Sequence, residues 1–169
     1  MDILSLIFII LLLIICICLP NIKVVKATEV YVIERFGKFY KIAEPGLVYL
    51  IPFVDKVKAI VPTSNLSRNI KTSANTKDGK TVNLDLTVHY KITDIQKAVY
   101  ESANVKLLKI SIEFITIKSI RYILERFNAD EILNSKDSII ESTLFELIVP
   151  ASSVGCRIDK IELNESSII

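Results

Sequence analysis

From Ile3 to Leu19 the chain reads ILSLIFIILLLIICICL, seventeen residues without a charge. Fourteen of them are Ile, Leu or Phe, which as a helix favour a bilayer over water by roughly 4–8 kcal/mol. At 1.5 Å per residue the run spans ~26 Å, slightly less than a ~30 Å hydrocarbon core. Pro20 and Asn21 end it. A cleaved signal peptide would carry a positive start and small residues before the cut; here the start is Met-Asp and no small-x-small site follows Leu19. Residues 1–22 therefore read as a retained, single-pass transmembrane anchor. Asp2 precedes the run, and Lys23 and Lys26 follow it. Positive charge stays on the cytoplasmic side, so the C-terminal body is expected there.

Residues 23–169 have the length of one ordinary domain. The net charge of +2 comes from 21 basic and 19 acidic residues spread along the chain, a balance that supplies no basic face for nucleic acid. Two of the three cysteines lie inside the apolar run and Cys156 stands alone, so no disulfide framework exists.

The body reads as an α+β domain, sheet-rich first and helical later. Val30–Ile33 is a β-branched and aromatic strand, turned at Gly37 and resumed in Phe39-Tyr40. Pro45-Gly46 marks a turn, and Leu47–Ile51, bounded by Pro52, has the pattern of a fully buried strand. A segment lying against lipid is equally consistent with that run. Asp78-Gly79 predicts a two-residue hairpin between Asn69–Thr76 and a strand from Val82 to Ile92 of strict period two. Asp94 is a candidate N-cap for a short helix from Ile95. Val105–Phe127 predicts a long helix buried around much of its girth, with Arg121 as a buried guanidinium paired to a carboxylate or to backbone carbonyls. Asn128 and Glu131 form a capping pair for a brief helix. Ser135–Val149 is amphipathic and ends at Pro150, and a closing strand enters through Gly155.

Nothing in this pattern carries catalysis. His89 is the only histidine, with no cysteine or second histidine at metal-ligand spacing. Four glycines form no phosphate-cradling loop, and no nucleophile elbow is present. Serines and lysines on exposed faces read as solvated surface, leaving a membrane-anchored hydrolase with no named residues. No catalytic, cofactor or metal site is expected.

Four stretches in order resemble the stomatin/prohibitin/flotillin superfamily, the band 7 or SPFH domain, in its stomatin-like branch. They are ERFGKF with EPGLVYLIPFVDKV (Glu34–Phe39, Glu44–Val57), TKDGKTVNLDLTVHYKITD (Thr76–Asp94), IRYILERFNADEIL (Ile120–Leu133) and VGCRIDKIEL (Val154–Leu163). The resemblance implies a non-enzymatic scaffold, membrane-bound and self-associating alone or with related SPFH proteins. Such a scaffold organises lipid microdomains or regulates a membrane protease or channel; a binding module clasping one such partner is the alternative. It further implies that Leu47, Val48, Tyr49, Leu50, Ile51 and Phe53 rest at the lipid surface. Gly37, Pro45, Gly46, Pro52, Asp78, Gly79, Arg121 and Gly155 would then shape the fold. The sequence departs from the family at Glu125 and Val154, where relatives often carry Gly and Trp. It ends without the coiled coil that drives assembly in relatives.

Overall fold

The structure, a computed structural model, describes residues 3–18, 21–102 and 105–168. It falls into two compact units, Met1–Thr63 and Ser64–Ile169.

The first unit opens with helix α1 (Ile3–Cys18), whose 16 residues are apolar apart from Ser5 and the cysteines. Those 16 residues cover ~24 Å at the α-helical rise, and no helix among the described residues is long and apolar enough to cross a membrane. The helix end expected at Pro20 lies outside the described residues. Five strands follow: β1 (Ile22–Val25), β2 (Glu29–Arg35), β3 (Lys38–Ala43), β4 (Gly46–Tyr49) and β5 (Asp55–Pro62). β2 is central in an antiparallel sheet β3-β2-β5, while β1 and β4 make a separate two-stranded ribbon. One buried cluster of the unit is Val25, Ile33, Ala43, Val48 and Leu50, with Tyr31 and Val57 packed against it. One face of the ribbon thus covers the sheet. Its other face, Ile22 opposite Tyr49 and Val24 opposite Leu47, is exposed.

The second unit is a sheet β6-β7-β8 under helices. β6 (Leu66–Asn75), β7 (Thr81–Ile92) and β8 (Cys156–Ile168) are antiparallel, β7 in the middle. The period-two pattern of β7 appears as strict alternation of buried and half-buried residues, because a pleated strand sends neighbouring side chains to opposite faces. Its polar face is bonded across the sheet: Asn69 and Asn164 both donate to Asp85 (2.6 and 2.9 Å), and His89 Nε2 lies 3.3 Å from Glu162. α2 (Ile95–Tyr100) starts at Asp94, whose carboxylate accepts from the Lys97 amide at 3.0 Å. α3 (Val105–Leu124), α4 (Ala129–Asn134) and α5 (Lys136–Ser153) follow. Asn128 donates its amide to Glu131 at 2.8 Å, the reciprocal half of the capping pair.

Four expectations are corrected. The loop at Asp78-Gly79 is longer than two residues: the Thr76 amide bonds the Lys80 carbonyl (2.9 Å), and Gly79 at φ 79° sits between them, the three-residue loop with a left-handed glycine. Asp78 instead accepts from the Thr76 hydroxyl and from the Ala129 amide, tying the hairpin to α4. α3 is not buried around its girth. Leu108, Ile112, Thr116, Ile120 and Leu124 form a buried stripe at i,i+4 spacing, whereas Ile110, Phe114 and Tyr122 are exposed; one sheet and one helix cover one side of a helix only. Arg121 is on the exposed side, where its Nε donates to the Ser73 carbonyl (3.1 Å). Its pairing to backbone is as expected; its burial is not. Finally, α5 continues through Pro150 to Ser153. A proline in the last turn forfeits one hydrogen bond, and turns closed by the Val154 and Gly155 amides finish the helix.

Candidate membrane-contact site

The uncharged run after Pro45-Gly46 is neither wholly buried nor wholly exposed. In β4 and the residues after it the chain alternates: Leu47, Tyr49, Ile51 and Phe53 are exposed, and Val48 and Leu50 are 7% exposed within the core. Of the six residues expected at lipid, Val48 and Leu50 are therefore core residues, and Leu47, Tyr49, Ile51 and Phe53 are exposed. Strand pleat explains the split, because Val48 stands opposite Lys23 on the sheet-covering face of the ribbon. Pro45 and Gly46 (φ 134°) lead into β4, and Pro52 leads out.

One end of the unit gathers exposed aromatic residues on left-handed backbone. Arg35 and Lys38 pair across a two-residue turn, Phe36-Gly37, with φ of 51° and 77°. Positive φ at both positions is the I′ geometry of tight hairpins, ordinarily filled by Asn-Gly. Phe36 is 79% exposed there. Among the described residues the other non-glycine position with positive φ is Phe53, at 63° and 96% exposed. The Phe36 amide donates to the Val54 carbonyl at 3.1 Å, so the two tips are neighbours. A left-handed conformation costs a non-glycine residue of order 1–3 kcal/mol, and here it is incurred twice to hold a phenyl ring in water.

The chain also enters at this end. The Leu50 amide donates to the Asn21 carbonyl (3.0 Å), which fixes residue 21 beside the β4–β5 loop. Asn21 is only three residues after the end of α1, a reach of at most ~11 Å.

Asp55 locks the arrangement. Its side chain is 2% exposed and accepts two bonds from Arg35, 2.8 Å from Nε and 3.1 Å from Nη2, and a third from the Ile51 amide at 2.9 Å. The Arg35 bonds, then the Ile51 amide, hold this carboxyl below the usual carboxylate range, since each stabilises the charged form. Arg35 also stacks 3.7 Å from the centre of the Tyr40 ring. The β2–β3 turn and the Phe53 loop are thereby held by one buried carboxylate.

Phe36, Asp55 and the exposed ribbon residues Ile22 and Val24 were not singled out by sequence reasoning. An X-Gly pair between two β-rich runs is the signal that could have flagged Phe36. Of the remaining predicted residues, Gly37 and Gly79 serve turns, and Gly155 accepts at its carbonyl from the Thr93 and Asp94 amides, both at 3.0 Å.

In the second unit a broad hollow of about 1110 Å³ includes Lys71, Asp85, Arg121, Lys160 and Glu162 in its lining. Two of its acids are already engaged: Asp85 by Lys71 (3.3 Å) and two asparagines, Glu162 by Lys160 (2.7 Å). Among the described residues no group of three His, Cys, Asp or Glu could hold a metal ion. Cys156 is buried, its thiol pushed up to about 11 by desolvation, which suits packing and not nucleophilic attack.

The geometry defines a two-unit α+β fold with an exposed apolar tip held by the Asp55 carboxylate. The chain belongs to the SPFH domain / Band 7 family, which matches residues 23–168, and it falls in the stomatin-like branch. It is 27% identical over 145 residues to Stomatin-like protein stl-1 of Caenorhabditis elegans, covering 85% of this chain and 44% of that protein. It is 27% identical over 142 residues to the mitochondrial Stomatin-like protein 2 of Homo sapiens, covering 83% and 39%. An uncharacterised protein of Methanocaldococcus jannaschii is 27% identical over 144 residues, 85% of this chain and 71% of its own length. The chain thus spans less than half the length of the two stomatin-like proteins.

Proposed function

We propose that this chain is a membrane-anchored, non-enzymatic scaffold of the stomatin-like kind, which self-associates and organises the membrane around it or regulates neighbouring membrane proteins. The observation that carries the membrane half is the pairing of two strained, exposed phenylalanines at the end where the chain arrives from α1. In this reading α1 is the single-pass anchor. Its shortfall against the bilayer is met by local thinning, at fractions of a kcal/mol per Å. Leu47, Tyr49, Ile51 and Phe53 then rest at the lipid surface, and Lys23 and Lys26 keep the body on the cytoplasmic side.

The scaffold half is supported by the exposed side of α3 and α5 and by family membership. Ile110, Phe114 and Tyr122 on α3, and Phe145, Ile148 and Val149 on α5, are exposed. The exposed charges differ in balance: Lys109, Lys118 and Arg121 on α3, and Asp137, Glu141 and Glu146 against the single Lys136 on α5. An α3 face therefore complements the α5 face of a second copy in both charge and apolarity. Lysine crosslinking in native membranes, followed by native mass measurement in detergent, tests the reading. Ladders of the chain itself are expected. A strictly monomeric chain overturns self-association, and a single dominant foreign partner replaces the scaffold with a clasp on one membrane protein.

A further inference from the structure

The first unit carries all of the protein's net charge, and distributes it unevenly. Residues 21–63 contain seven Lys and Arg against four Asp and Glu; residues 64–169 contain fourteen of each, and Asp2 completes the net +2. Three of the four acids are committed within the unit: Asp55 to Arg35 (2.8 Å), Glu34 to Lys58 (3.3 Å) and Glu29 to Lys26 (4.0 Å). The fourth, Glu44, follows β3 at the end away from the Phe36 turn. The cations left without an ion-pair partner among the described residues include Lys38, Lys56 and Lys23. Lys38 is the first residue after Phe36-Gly37, Lys56 is the third after Phe53, and Lys23 is the second after the entry at Asn21. All three are exposed. The unit is thus polarised, with apolar rings and uncompensated ammonium groups at one end and the uncommitted carboxylate at the other.

That combination is chemically specific. Phenyl rings alone would enter any bilayer interface. Ammonium groups beside them add roughly fivefold each only where the surface carries anionic headgroups, and this contribution falls off within a Debye length. We infer that the Phe36–Phe53 tip docks selectively on anionic lipid, with Lys38 and Lys56 as the headgroup-recognising residues and Lys23 assisting. The inference rests on the membrane-contact reading above and names the lipid class for that contact.

The protein contains no tryptophan, so Phe53→Trp supplies a single reporter with an aromatic ring at the same place. The full chain carrying it is reconstituted into vesicles of phosphatidylcholine alone or with one-third phosphatidylserine, each doped with bromolipid. Emission of Trp at position 53 is then followed for blue shift and quenching. Expected is strong quenching with phosphatidylserine and weak quenching without it. Adding Lys38→Gln and Lys56→Gln should lower the docked-to-free ratio on the order of tenfold or more, 1 M salt should do the same, and arginine at both positions should restore docking. Equal quenching in both lipids, or no response to the glutamine pair and to salt, overturns the headgroup selectivity while the tip contact stands. Absence of quenching in either vesicle, with the chain still resistant to alkaline extraction, overturns both.

Discussion

A methyl group at position 155 would stand 2.3 Å from the Asp94 carbonyl oxygen and 2.8 Å from the Ala98 amide nitrogen, on a backbone at φ 75°. Neither neighbour is the end of a movable side chain; both belong to the start of α2. Gly155→Ala should therefore cost more than the ~1–2 kcal/mol of a left-handed alanine alone. Gly37→Ala, also at positive φ but with nothing within 4 Å of the added carbon, should cost only that amount. Urea midpoints of the two variants, with unchanged slopes, measure the difference; equal midpoints would refute it. Asp55 gives a second residue-level prediction. Its folded carboxyl titrates below the ordinary range because Arg35 and the Ile51 amide bond the anion. A depressed carboxylate stabilises above its unfolded pKa of ~3.9, and that contribution fades as pH falls through the lower folded value. The Ile51 amide should keep its exchange protection from neutral pH to about 4 and lose it below. In Asp55→Ala, which leaves no side-chain acceptor, it should be unprotected already at neutral pH. Protection that persists in the alanine variant would show that something else pins the tip.

At the scale of elements, what the sequence discloses depends on how local the deciding interaction is. β7 was legible because period-two alternation is a property of its own residues, and so were the Asp94 cap and the Asn128–Glu131 pair, each closed within three positions. Leu47–Ile51 was not, since an apolar residue on both sides of a strand says nothing about which side meets a partner; only its register with β1 placed Val48 inside and Leu47 outside. The same ambiguity hid the free side of α3, whose isoleucines and aromatics line both its covered and uncovered faces. Pro150 misled because a proline past the first turn removes one i→i−4 bond and crowds the preceding turn, which can kink a helix without ending it. The uncovered faces of α3 and α5 yield a prediction of their own. Phe114→Asp and Phe145→Asp replace residues 66% and 75% exposed, so the melting temperature of the second unit should move little. The oligomer population in detergent should fall severalfold for either variant. Unchanged native mass for both would remove this face from self-association.

At the scale of the molecule, two separate forces hold the protein at a membrane in the proposed reading, and they respond to different solvents. α1 contributes apolar area that no salt screens. The tip contributes a few aromatic contacts and ammonium groups whose attraction to a charged surface shrinks as the Debye length drops from ~10 Å at 0.1 M to ~3 Å at 1 M salt. A chain lacking residues 3–18 should therefore still pellet with anionic vesicles at low salt and be released at 1 M. The intact chain should stay with the membrane through both 1 M salt and alkaline carbonate. If the shortened chain remained bound in 1 M salt, the tip would be held by apolar insertion and not by charge. If the intact chain came off in carbonate, α1 would not be an anchor, and the ~24 Å helix would have to lie along the surface as an amphiphile without a polar face, an arrangement its uniformly apolar girth opposes.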